Sequence, residues 1–366
     1  MLFSYVYVPH QMEKIQEYLD FIFLEVWSQA PNAGGFDLSL FDNNADLKNL
    51  MERFYWSDTQ GGDFFYGHVE RIYNLFSQLS VQQINDIQAC YRANNTIEQV
   101  CRNQAALEIT RYADIEAGFP NLLEQISSFY KGLYSKKILN NAAFKESVGD
   151  IEQHYESFMT HNTVGKCPFC GITDFLGVYH TKREAYDHYL PKALYPFNSL
   201  NFKNLVPTCH YCNSSYKTTR DPAYTPKDPA GEIHRRKAFF PYSPNRHDIE
   251  VSIELSATHV DNISTNDIQL TFGPDNISEE IETWKDVYGI EERYKAKCCS
   301  ETDGKAWINR VLDERRNYGL SIEGMLQAEI NTAKNQPYSD SNFLKKAFLY
   351  GCNEAGLFDG DSHNTE

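Results

Sequence analysis

Four cysteines stand in two pairs, Cys167-Pro-Phe-Cys170 and Cys209-His-Tyr-Cys212. Two residues between thiolates let one tight turn aim both sulfurs at one ion, and two such turns complete a tetrahedral zinc site. Four thiolates close the coordination sphere, so a Zn²⁺ held there is structural and leaves no position for substrate. His210 is an alternative ligand inside the second pair, although its position there favours a backbone or phosphate contact. Between and just after the pairs lie Asp187, His188, Asn204, Asn213, Lys217 and Arg220. A carboxylate and an amide oxygen suit a hard cation, Mg²⁺ or Mn²⁺. An imidazole with an ordinary pKa near 6.5 suits a general base. Lys217 follows Asn213 by four residues and Arg220 by seven, which puts both on one helical face where they could meet phosphates. Lys192 and Arg183 are weaker candidates for the same role. Taken singly, an Asp-His dipeptide, an Asn after a Cys and a basic helix face are commonplace. Their joint occurrence between two cysteine pairs is what gives them weight.

In order along the chain, Asp187-His188, Pro191-Lys192, Asn204-Leu205-Val206-Pro207, Cys209-x-x-Cys212-Asn213 and Lys217 resemble the HNH endonucleases. These are also called ββα-metal or His-Me finger enzymes, and the variant here has Asn at the last motif position. The resemblance covers fifty to sixty residues. It implies that Asp187 and Asn213 hold the cation, that His188 activates water, and that Asn204 braces the loop between the two strands. Phosphodiester hydrolysis needs these two services, a deprotonated water and a cation to offset charge on the phosphate. The products implied carry 5′-phosphate and 3′-hydroxyl ends. Neighbouring residues of a strand point to opposite faces, so Asp187 and His188 share one site only if the strand twists or bulges.

A non-catalytic zinc-ribbon module that binds nucleic acid or protein is the alternative, although it requires neither Asp187, His188 nor Asn213. A zinc deaminase, which needs an H-x-E triplet ahead of its cysteine pair, is not the expected reading.

The elements that must position these residues are mostly helical. Apolar residues recur at three- and four-residue intervals over 11–29, 64–79, 80–92 and 121–133, with Ser80 as an N-cap and Pro120 in a first turn. Alternation in VSIEL and IQLTF predicts strands within 248–272, and helical periodicity returns over 278–349. The expected class is α+β: a mostly helical chain around a central zinc-stapled ββα-metal module. The expected divisions are a helical, partner-binding region (1–155), the nuclease module (156–247), a short β segment (248–275) and a C-terminal helical region (276–366) ending in a frayed polar tail.

Net charge is −16, which alone speaks against a nucleic-acid partner. The charge is segregated, however. Residues 161–247 carry twelve Lys and Arg against six Asp and Glu, while the remainder carries 22 against 44. His234-Arg235-Arg236-Lys237 is the most basic run, and reads either as a backbone grip or as a solvated turn. His154, His161 and His180 read as surface or packing residues, and Cys298-Cys299 as buried structural cysteine. Nine cysteines in a chain this long point to metal and to the cytoplasm instead of a disulfide scaffold. Neither a signal peptide nor a membrane span is expected. Acidic helical arms around an HNH module are similar to the Septu-type nuclease subunits encoded beside ATPases in bacterial anti-phage systems. That resemblance implies DNA as substrate and an ATPase as protein partner.

Overall fold

The computed structural model describes residues 1–245 and 247–359. Helices dominate, and the strands form two antiparallel pairs, so the class is mostly helical α+β. The first pair joins β1 (Ala185–His188) to β2 (Leu205–Thr208), with Ala185 opposite Thr208 and His188 opposite Leu205. The second joins β3 (Glu250–Leu255) to β4 (Ile268–Gly273). In this second pair Ile253, Ile268 and Leu270 are buried and alternate with exposed residues, as the sequence alternation predicts. The helix Asn342–Glu354 packs on β3, and Gly351 permits the approach: a Cβ there would meet the Ile253 carbonyl oxygen at 2.5 Å.

The helical periodicity of the first third is realised with local adjustments. The stretch 11–29 starts as a 3₁₀ turn and becomes α-helix at Lys14–Phe21. It loosens to π geometry over Ile22–Val26, then tightens again. Ser80 caps the helix Val81–Asn95, its hydroxyl accepting from the Gln83 N–H while Gln83 returns the bond to Ser80. Pro120 opens the helix Pro120–Leu133.

One cluster of buried side chains runs from Met1 to Phe358 and draws on all four segments of the chain. The amino-terminal segment bonds to the region of the cysteine pairs. Leu2 N–H donates to the Pro168 carbonyl at 2.9 Å, and the Tyr5 hydroxyl to that of Pro207 at 3.1 Å. Leu357 and Phe358 are buried, so the described part of the expected frayed tail is packed, and the rest of it lies outside the described residues. Cys298 is buried as expected, whereas Cys299 is only half-buried. No helix among the described residues is long and apolar enough to cross a membrane.

Candidate metal centre and adjoining carboxylate site

The two cysteine pairs converge. The sulfurs of Cys167, Cys170, Cys209 and Cys212 all lie within 4.8 Å of one another, and all four residues are at most 1% exposed. A zinc tetrahedron with Zn–S of about 2.3 Å has edges of just under 4 Å, so this cluster can hold one ion. The first turn closes through Gly171, whose N–H donates to the Cys167 carbonyl at 2.7 Å with φ of 69°. A side chain there would be strained, and its Cβ would stand 2.2 Å from Leu2 Cδ1.

Cationic and polar groups from the C-terminal helices surround the sulfurs. Arg293, on the helix Ile290–Cys299, donates from Nη1 to Cys212 Sγ at 3.1 Å. Thiolate charge on Cys212 and Cys170 acts to keep the guanidinium protonated against the opposing effect of its burial. Hydrogen bonding among the neighbouring cysteines and then the Arg293 charge pull the Cys170 pKa down, toward the thiolate a metal needs, whereas burial pushes the Cys212 thiol up. Tyr294 donates to the Cys170 carbonyl at 2.9 Å, and Trp284 Nε1 to that of Phe169 at 2.6 Å. None of these three residues carries a sequence signal for a metal site, since they lie more than seventy positions from the second cysteine pair.

From the cluster the chain enters a π-helical segment, Tyr211–Lys217, in which Thr218 N–H reaches back five residues to the Asn213 carbonyl at 2.9 Å. This segment lies against β1 through one side chain. Lys217 is 0% exposed; its Nζ stands 3.1 Å from both oxygens of Asp187, hydrogen-bonded to Oδ1, and donates to the His188 carbonyl at 2.8 Å. The expectation of a phosphate-facing lysine is therefore corrected. The wider turn of a π-helix and the burial of β1 swing Lys217 inward. Asp187 is also buried, which pushes its carboxyl pKa up, with Lys217 opposing the shift. Asp187 Oδ2 receives no hydrogen bond among the described residues, so a buried carboxylate oxygen is left with coordinating capacity.

His188 faces different neighbours. Its Nε2 lies 3.0 Å from the Ser199 carbonyl oxygen, and its ring packs edge-on against Tyr134 with centroids 4.8 Å apart. A carbonyl only accepts, so Nε2 carries the proton and Nδ1 is left as the basic nitrogen. Burial first, then the Lys192 and Lys217 charges, push the His188 pKa down to about 3, so the ring is neutral near pH 7. The Ser199 carbonyl belongs to the loop between β1 and β2, and Asn204 ties that loop. Its Oδ1 accepts from Leu190 N–H at 2.7 Å, while its Nδ2 donates to the Leu190 and Asn198 carbonyls at 3.1 and 3.3 Å. Asn94 and Asn95, at the end of the helix Val81–Asn95, clamp the same loop through Pro196, Asn198 and Asn201. Neither asparagine is legible as a site residue in the sequence, and Tyr134 is not either.

The remaining candidates have partners of their own. Asn213 is held by its main chain, N–H to the Cys209 carbonyl at 3.0 Å; its half-buried side chain makes no hydrogen bond among the described residues. Arg183 pairs with Glu152 at 2.9 Å. Lys192 donates to the Lys131 and Tyr134 carbonyls at 3.3 and 3.4 Å, at the end of the helix Pro120–Leu133. Arg220 is exposed, although one guanidinium nitrogen bonds the Asp286 carbonyl. In the basic run, Arg235 and Arg236 bond the Val100 and Asp221 carbonyls and Lys237 pairs with Glu279, so most of that run is engaged internally. A second grouping of possible ligands, Asp228, Glu232 and His234, sits in a partly exposed turn and is explained by its own turn hydrogen bonds.

H-x-E triplets do precede the first cysteine pair, at His68 and His154. Neither histidine belongs to the sulfur cluster: His68 bonds the Phe64 carbonyl, and His154 is buried against the Tyr186 hydroxyl. The triplets are present, and it is their distance from the sulfur cluster that speaks against the deaminase reading. Compared with protein-family models, curated proteins and solved structures, the chain shows no match to any of them.

Proposed function

We propose that this protein is a metal-dependent endonuclease of the HNH type with a structural zinc. The observation that carries the reading is the pairing, on one buried strand, of Asp187 with a histidine whose Nε2 is tied to the Ser199 carbonyl. Asp187 and Asn213 are the residues that would hold Mg²⁺ or Mn²⁺, and the Asp187 Oδ2, which receives no hydrogen bond although the Lys217 ammonium stands 3.1 Å away, supports the first of them. When bound, such a cation offsets charge on the phosphate and on the departing 3′ oxygen. His188 does the proton work: Nδ1 accepts a proton from the attacking water, the water oxygen bonds phosphorus, the bond from phosphorus to the 3′ oxygen breaks, and the 3′ oxygen takes a proton from a solvent water. The Ser199 carbonyl fixes the tautomer that makes this possible, while Asn204 holds the loop through the carbonyl of the preceding residue, Asn198. Arg220, being exposed near the end of the π-helical segment, is the cation best able to reach a neighbouring phosphate.

DNA is the substrate that the resemblance favours, within anti-phage defence in the cytoplasm and together with an ATPase. The acidic flanks support a role for a partner, because like-charge repulsion limits indiscriminate binding to nucleic acid. In the helical region Tyr55 and Trp56 are 51% and 80% exposed, with Trp56 lining a cleft of about 590 Å³, a surface suited to a protein contact.

One observation favours the alternative of a non-catalytic zinc-clamped adaptor: Lys217 already neutralises Asp187. The two readings separate on plasmid, linear, single-stranded and RNA substrates incubated with Mg²⁺ or Mn²⁺. The nuclease reading expects cleavage by the wild type and a loss of about 100-fold or more in His188→Ala and Asn213→Ala. Binding without cleavage by all three proteins supports the adaptor.

A further inference from the structure

Lys217 occupies a place where the nuclease reading puts a divalent cation. An ammonium group has three protons to donate and is strongly hydrated, so it is buried only where partners replace its water. Here the side chain is 0% exposed and has two such partners on β1, the Asp187 carboxylate at 3.1 Å and the His188 carbonyl at 2.8 Å. Asp187 itself is 5% exposed, so the pair sits where water screens charge poorly. The very next residue, Thr218, has φ of 46°, a backbone region that β-branched side chains avoid. The end of the segment that presents Lys217 is therefore held under strain by its surroundings, as chain near functional groups often is.

We infer that Lys217 is a tethered counter-ion for Asp187, which keeps the free protein's affinity for divalent cations low and admits the cation only together with a nucleic-acid phosphate. The reasoning is electrostatic. In the free protein, a cation attracted by Asp187 also meets the Lys217 charge, in surroundings that screen it little. A phosphate brings negative charge to the same place, gives the ammonium an acceptor besides Asp187 and the His188 carbonyl, and removes the conflict. Metal and substrate then load cooperatively. The inference rests on the nuclease reading, and it adds an order of binding and a role for Lys217 that differs from a plain phosphate contact.

The test measures Mn²⁺ binding to zinc-loaded protein, by calorimetry or by the resonance signal of free Mn²⁺, without any turnover. Lys217→Met should bind Mn²⁺ at least about tenfold more tightly than the wild type, and the gain should vanish in Asp187→Asn/Lys217→Met. A second measurement needs no substitution at all: an uncleavable phosphorothioate oligonucleotide should tighten Mn²⁺ binding to the wild type by about tenfold or more. Tight Mn²⁺ binding by the free wild type that Asp187→Asn abolishes would overturn the counter-ion role while leaving the nuclease reading intact. So would an unchanged affinity in the presence of oligonucleotide. Absence of binding at Asp187 in every protein, with and without oligonucleotide, would remove both.

Discussion

At the scale of single residues, the chemistry depends on charges placed where water is scarce. The Arg293 guanidinium against Cys212 Sγ is one case. Replacing it with Met removes an N–H···S bond and a positive charge from the sulfur cluster, and zinc retention against a chelator should fall by about tenfold or more. A competition titration with a chromophoric chelator reads this directly. His188 is another case. Burial and nearby lysines lower its pKa to about 3 in the free protein, and the neutral ring is the form that accepts a proton. Cleavage should therefore persist below pH 6.5, where an ordinary histidine would already be protonated, and a pH–rate profile with its acid limb at the ordinary position would contradict that environment. Residue types were the most legible part of the sequence: the cysteine spacing announces the buried cluster of four sulfurs, which could hold a zinc ion, while Asp187, His188 and Asn213 carry the hydrolytic reading proposed above. Lys217 was misread for a physical reason. A lysine four positions after Asn213 shares its helical face on any helical wheel, and only the packing of the π-helical segment against β1 turns it inward.

At the scale of elements, the hairpin β1–β2, the cysteine cluster and the segment Tyr211–Lys217 depend on one another. Zinc should be found at about one ion per chain, and Cys170→Ser or Cys209→Ser should abolish it, with loss of the local fold, read by metal analysis and proteolysis. The helix Ile151–His161 is fastened to β1 through His154, which lies buried against the Tyr186 hydroxyl and 5.2 Å from the His10 ring. Burial, reinforced by His10, pushes the His154 pKa down to about 3. Between pH 3 and 6.5 the unfolded chain therefore binds the proton and the folded chain does not. Stability should rise with pH across that window by up to about 1.4 kcal/mol per unit from this group, a slope that His154→Gln should flatten in denaturant titrations. Periodicity made the helices and the β3–β4 strands legible. It was silent on which helix end meets which loop, so Tyr134 over His188, and Asn94 and Asn95 on the 196–201 loop, emerge only from the assembled fold.

At the scale of the whole molecule, the boundaries drawn from sequence texture enclose segments that share a single core. C-terminal helices supply Trp284, Arg293 and Tyr294 to the cysteine cluster, and the N-terminal helices roof the loop that holds His188. Cores of this kind are invisible to a reading that finds domains by composition, because composition records what each segment buries and not against what. The charge asymmetry belongs to this scale as well. With much of the basic run bonded internally and acidic flanks around it, DNA binding by the isolated protein should be weak and should weaken further with salt. The central claim is cleavage itself, and its most direct test is single-turnover digestion of labelled DNA by zinc-loaded wild type and by equally folded, zinc-loaded His188→Ala, with analysis of the product ends. The account predicts 5′-phosphate and 3′-hydroxyl ends from the wild type in Mg²⁺ or Mn²⁺ and none from the variant. Equal cleavage by the two proteins would contradict it.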